Sequence, residues 1–98
     1  MHQRSESDLA WDLVEHTRAS FSVADLNKVF VLLGIWEFDA VIRAAIGTVA
    51  NRGLAVPASL LDELDSWASQ RHPDGPTGES LMRDLARCRR FVPRQGLH

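Results

Sequence analysis

Asp12 and His16 stand four residues apart with Glu15 beside them, a spacing that gathers an imidazole and two carboxylates on one side of a helix. Glu37 and Asp39 supply two further carboxylates from the following hairpin. Oxygen and imidazole donors of this kind can hold a divalent cation. Helical carboxylate metal centres use Glu-x-x-His from more than one helix, and that motif does not occur in this chain. The group therefore reads as a solvated helix face, and no metal or cofactor is expected. Cys88 is flanked by Arg87, Arg89 and Arg90, cations that depress a thiol pKa when they lie against the sulfur. It is the one cysteine of the chain and has no neighbouring histidine in sequence, so it reads as a small buried apolar residue. His72, next to Pro73, reads as a helix end. With no nucleophile beside a base, no paired carboxylates and no phosphate loop to place, no catalytic residue is assigned and no enzyme activity is expected. Arg83, Arg87, Arg89, Arg90 and Arg94 against Asp84 give the last sixteen residues a charge of +4. Contact with phosphate or an acidic partner, through Arg87, Arg89, Arg90 and Arg94, is the chemistry such a cluster offers. Arginine in a last helical turn also complements the helix dipole.

The elements that must position these groups are helical throughout. Residues 7–18 put Leu9, Ala10, Leu13, Val14 and Thr17 on one face and Asp8, Asp12 and Glu15 on the other. Ser22 and Asp25 have capping-box spacing ahead of a second helix. That helix carries Val23, Leu26, Val29, Phe30 and Leu33 on one stripe, yet Val31, Leu32, Ile35 and Trp36 fill its other faces. A helix apolar all round must be covered all round. Gly34 marks a bend or boundary. Phe38, Val41, Ile42, Ala45, Ile46 and Val49 define the clearest stripe, with Asp39 as its predicted cap and Gly53 just past its end. Leu54-Ala-Val-Pro57 reads as an extended link. A fourth helix over 58–70 buries Leu60, Leu61, Leu64, Trp67 and Ala68, with Ser59 and Asp62 at capping spacing. Two prolines and two glycines in residues 72–78 predict a loop, and a last helix is expected over 79–90.

Three short stretches resemble known families. Gly78-Glu-Ser-Leu-Met82 is similar to the phosphopantetheine serine motif of acyl carrier proteins, in which the serine opens a helix; it departs at Glu79, and a plain helix start is the preferred reading of Ser80. Leu54-Ala-Val-Pro57, then residues 58–67, then residues 77–85 resemble the strand, helix, turn and helix of ribbon-helix-helix repressors and antitoxins. In that family paired strands from two chains present polar side chains to base edges, whereas here only Asn51 and Arg52 precede the apolar Leu54, Ala55 and Val56. Ser22-Val-Ala-Asp-Leu26, followed by Ile42-Arg-Ala-Ala-Ile46, Val49 and Gly53-Leu54, is similar to winged-helix regulators, with Arg43 and Arg52 as the basic residues of the would-be recognition helix. Both regulator patterns require residues 54–56 to form a paired strand.

A chain of 98 residues with 45% hydrophobic and 24% charged residues is of a size and balance for one globular domain. A net charge of −2 supplies no general field for nucleic acid or acidic membranes. The longest apolar run, residues 29–36, falls far short of the roughly 20 residues of a membrane span, and residues 1–10 have no signal-peptide core. A cytoplasmic location with no membrane partner is expected. Ten of the eleven basic residues are arginine, a bias of GC-rich bacterial coding. The sequence thus predicts an all-α single small domain of four to five short helices in an irregular or orthogonal bundle at 7–91, with flexible ends at 1–6 and 92–98. Its expected core is Leu13, Leu26, Phe30, Leu33, Phe38, Ile42, Ile46, Val49, Leu61, Leu64, Trp67, Leu81 and Leu85. The expected role is a helical protein–protein interaction module that pairs with itself as a homodimer, or with another protein, through Val31, Leu32, Ile35 and Trp36, surplus apolar residues for so small a bundle. The alternative is a small DNA-binding regulator of the ribbon-helix-helix or winged-helix kind working through the basic C-terminal helix.

Overall fold

The computed structural model describes residues 5–91, and these form five α-helices and two 3₁₀ turns in an all-α single domain. Its radius of gyration of 13.1 Å matches the ~13 Å of a compact domain near 100 residues. Most of the expected flexible ends, and Arg94 with them, lie outside the described residues. Ser5 and Glu6 lie inside and are ordered by the first helix. That helix, α1 (Glu6–Thr17), starts one residue earlier than its apolar pattern because the Ser5 hydroxyl accepts the Asp8 N–H at 3.1 Å. It buries Leu9, Ala10, Leu13, Val14 and Thr17. The enclosed Thr17 hydroxyl donates to the Leu13 carbonyl at 2.9 Å. A 3₁₀ turn, Arg18–Ser20, leads to α2 (Val23–Gly34), where the Ser22 hydroxyl accepts the Asp25 N–H at 3.1 Å as the capping spacing predicts.

The central element is α3 (Phe38–Arg52), which packs against α1, α2 and α5 through Val41, Ile42, Ala45, Ile46, Val49 and Ala50. It ends on Gly53 in the left-handed conformation (φ 66°, ψ 40°), as expected. Asp39 does not cap it. The N-cap position is Glu37, without a side-chain bond, and Asp39 lies in the first turn with its carboxylate turned to His72. The link that follows contains no strand, and Val56 is enclosed in the core at 1% exposure. A side chain anchored there ties the link to the bundle, where both regulator patterns need a strand.

The fourth helix, α4 (Ala58–Arg71), begins from Pro57, whose carbonyl accepts the Leu60 and Leu61 N–H groups, so Ser59 is an exposed helical residue instead of the predicted cap. The fifth, α5 (Gly75–Cys88), starts four residues before its expected position. Proline is well tolerated in a first helical turn because its missing N–H has no intrahelical partner there, and Pro76 occupies that turn. Gly78 is a packing residue, not a loop signal: a Cβ at this position would lie 2.3 Å from the His72 carbonyl oxygen. α5 packs on α3 and α4. A second 3₁₀ turn, Arg89–Phe91, closes the described chain.

Ten of the thirteen expected core residues are buried. Phe30 is 39% exposed, and Leu26 and Phe38 are half-buried. For Leu26 and Phe30 the cause is the position of α2, which rests chiefly on α3, so that only Val29 and Leu33 of that helix are fully enclosed; Phe38 opens α3 at the edge of the core. Among the described residues no helix is long and apolar enough to cross a membrane.

Candidate interaction surface

Because α2 buries one narrow stripe, its apolar residues on the opposite side face solvent. Val23 is 79% exposed, Val31 and Ile35 each 62%, and Trp36 78%. Positions 23, 27, 31 and 35 follow one another at intervals of four, which aligns them in a slowly turning row along the helix. Phe30 flanks the row and lies 6.0 Å beneath the Arg18 guanidinium. Asn27, Lys28, Val31 and Leu32 contribute to a shallow concavity of about 400 Å³ on the same side. Of the expected interface residues, Val31, Ile35 and Trp36 are thus presented together, whereas Leu32 is half-buried against the core.

The end of α2 fixes how Trp36 is presented. The Glu37 N–H donates to the Leu32 carbonyl at 2.9 Å and the Trp36 N–H to the Leu33 carbonyl at 3.2 Å, the paired bonds of a Schellman cap. The left-handed position of that cap is usually glycine, yet here it is Trp36 at φ 64°. Gly34 is the last helical residue, which makes it the boundary its position suggested. The indole leans on Phe38, ring centroids 6.1 Å apart and tilted by 44°, and otherwise projects outward. A large apolar side chain held in solvent on a strained backbone is an arrangement that a monomer's stability does not call for.

No family model, curated protein or solved structure matches the chain.

Two residues of the basic end, Arg87 and Arg89, are tied to groups of the same molecule. Arg87 donates to the Ala50 carbonyl at 3.3 Å and to Asn51 Oδ1 at 3.4 Å, and pairs with Asp84 at 3.5 Å. Arg89 donates to Asp62 Oδ1 at 2.9 Å and also to the Asp65 carboxylate, pinning the end of α5 to α4. Arg90 is exposed. Of the acidic and imidazole residues singled out in sequence as one group, the structure brings together Asp12 and His16, while Glu15 and Asp39 have other partners. His16 pairs with Asp12 at 3.5 Å, Glu15 with Arg18 at 3.3 Å, and Asp39 lies with His72. Among the described residues no group of three or more His, Cys, Asp or Glu side chains is placed to hold a metal. Cys88 is buried against Ile46, whose carbonyl lies 3.9 Å from Sγ. Burial, aided by Asp84, pushes its thiol up to about 11, outweighing Arg87. Ser80 is an exposed residue in the second turn of α5, not its start.

One polar cluster has no counterpart in the sequence reading. Trp67 Nε1 donates to Glu6 Oε2 at 2.6 Å, and Arg71 Nε meets the same oxygen at 3.0 Å. Asp39 Oδ1 lies 2.9 Å from His72 Nε2 and 3.4 Å from Arg43 Nε. Burial pushes the Asp39 carboxyl up, but the His72 hydrogen bond and the Arg43 and Arg71 cations together hold it below its ordinary value. These contacts join the start of α1, the start of α3 and the end of α4. They act as a structural clasp.

Proposed function

We propose that this chain is a non-enzymatic helical interaction module that self-associates by burying the outer face of α2 against a second copy. The observation that carries the reading is the exposed group of Val31, Ile35 and Trp36 at the end of α2, with Val23 two turns away beyond Asn27 on the same side. With Phe30, these residues expose on the order of 600 Å², at the upper end of the largest apolar patch on ordinary monomers and below the ~800 Å² per partner of a standard interface. The face is also nearly neutral. Asp25 and Lys28 are the two charged residues of α2 and cancel, so a second copy meets no net repulsion there. Aromatic anchors within a patch poor in charge are characteristic of interface centres.

Sedimentation equilibrium across a hundredfold range of concentration tests the reading. The expected mass is twice 11.0 kDa at high concentration, returning to one chain on dilution. Val31→Asp with Ile35→Asp is expected to leave helicity unchanged and abolish the dimer, since each charge would have to be desolvated at the interface. A wild-type chain that stays monomeric to millimolar concentration refutes self-association. A dimer that survives both substitutions places the interface elsewhere.

A further inference from the structure

We infer that the two copies cross at the C-terminal ends of their α2 helices about a two-fold axis, so that Trp36 of each fills the concavity beside Val31 and Leu32 of the other while Lys28 of each meets Glu37 of the other. This arrangement rests on the self-association proposed above and adds its register. A two-fold interface pairs residues that lie equally far on either side of the axis. Two pairings agree on where the axis falls. The concavity is lined by Asn27, Lys28, Val31 and Leu32, and pairing its middle, near residues 29–30, with Trp36 gives one midpoint; pairing Lys28 with Glu37 gives the other. Both put the axis near residues 32–33, at the C-terminal end of α2.

The chemistry of each pairing is favourable. Trp36 is the most protruding aromatic of the described residues, at 78% exposure, and the concavity of about 400 Å³ is roomy enough for an indole. Aromatic rings seated in a partner's pocket are the usual energetic centre of an interface. Lys28 and Glu37 are both exposed, and neither has an ion-pair partner among the described residues, so each is available to the opposite charge of the second copy. At Gly34, on the outward side of α2, no atom lies within 4 Å of where a Cβ would stand, so two backbones can approach closely beside the axis. The two-fold repeats every contact, giving two indoles and two ion pairs per dimer.

A charge-swap cycle tests the register separately from association itself. Lys28→Glu, Glu37→Lys and the double variant are compared with the wild-type chain by sedimentation, with circular dichroism to check that each retains its helices. Each single swap replaces two attractions with two repulsions and is expected to weaken the dimer about tenfold. The double swap restores opposite charges and is expected to return within about threefold of wild type. Trp36→Ala, which removes two anchors, is expected to weaken the dimer by a hundredfold or more. If the chain dimerises but the single swaps leave it unaffected, or the double swap fails to recover it, the register is overturned while self-association stands. A dimer indifferent to Trp36→Ala also overturns the register. A monomeric wild-type chain overturns both.

Discussion

Trp36 takes a backbone conformation that glycine accommodates without strain, and replacing it separates stability from association. Trp36→Ala and Trp36→Gly remove the same indole and the same contact with Phe38. They differ only in the backbone at φ 64°. A left-handed L-residue costs about 1–2 kcal/mol relative to glycine, and the greater freedom of glycine in the unfolded chain returns about 0.5–1 kcal/mol of that. The Gly variant should therefore be the more stable of the two by about 0.5–1 kcal/mol. For a domain of this size that is about 2–8 °C in Tm. The comparison is made by thermal unfolding at low micromolar concentration, where association does not add to stability. Gly53→Ala provides an internal scale, because Gly53 takes the same conformation at the end of α3 (φ 66°) and its substitution should cost a comparable amount. Both Trp36 variants should lose self-association to the same degree. An Ala variant as stable as the Gly variant, or more so, would refute the strained-cap assignment.

Ile46→Ala, at the centre of α3, should destabilise by about 2–5 kcal/mol in urea unfolding, whereas Glu15→Ala, an exposed residue paired with Arg18, should stay within about 0.5 kcal/mol; equal tolerance at both positions would refute the core assignment. Asp39 has a folded-state pKa below its ordinary 3.8, so its contribution to stability is complete above that value and is lost as pH falls through the lower folded value. Unfolding measured from pH 6 to 2 should show this loss in the wild-type chain and a flatter acid limb in Asp39→Asn. Gly78→Ala should cost about 1–3 kcal/mol by forcing α5 away from the His72 carbonyl, and an unchanged Tm would refute that close approach. Replacing Arg87, Arg89 and Arg90 with Ala should leave self-association intact; salt-dependent duplex binding that disappears in this variant would instead assign the basic end to nucleic acid.

The helical architecture was legible because each of the first four helices carries its own local signals. Ser22 at the start of α2 and Gly53 at the end of α3 are caps readable from a few residues, and the 3,4 spacing of α3 names its buried face without help from elsewhere. The start of α5 was misread because Gly78, ambiguous by composition, is required by an approach of two backbones that only the folded chain reveals. The surplus of apolar residues in α2 was visible, but which of its faces is covered depends on how many helices pack against it. Leu26 and Phe30, assigned to the core, are therefore half-buried and exposed, and Leu32, expected at the interface, is half-buried at the edge of the outer face. The cap at Trp36 had no local signal, since Gly34, two residues earlier, looked like the break. The clasp of Glu6, Trp67, Asp39 and His72 joins residues 61 and 33 positions apart and lies beyond any local pattern.

The enclosure of Cys88 makes the molecule its own chronometer. The chain's single thiol sits in the last turn of α5 against the carbonyl of Ile46 in α3, at 1% exposure. A thiol-directed reagent can reach it only after α5 has lifted from α3. The slowing of modification relative to an unhindered thiol then measures the equilibrium constant for that detachment, with each tenfold corresponding to about 1.4 kcal/mol. With no engineered label, the same chain reports the undocking of its last helix, and comparison with global unfolding tells whether α5 parts from the bundle alone or only when the whole bundle opens.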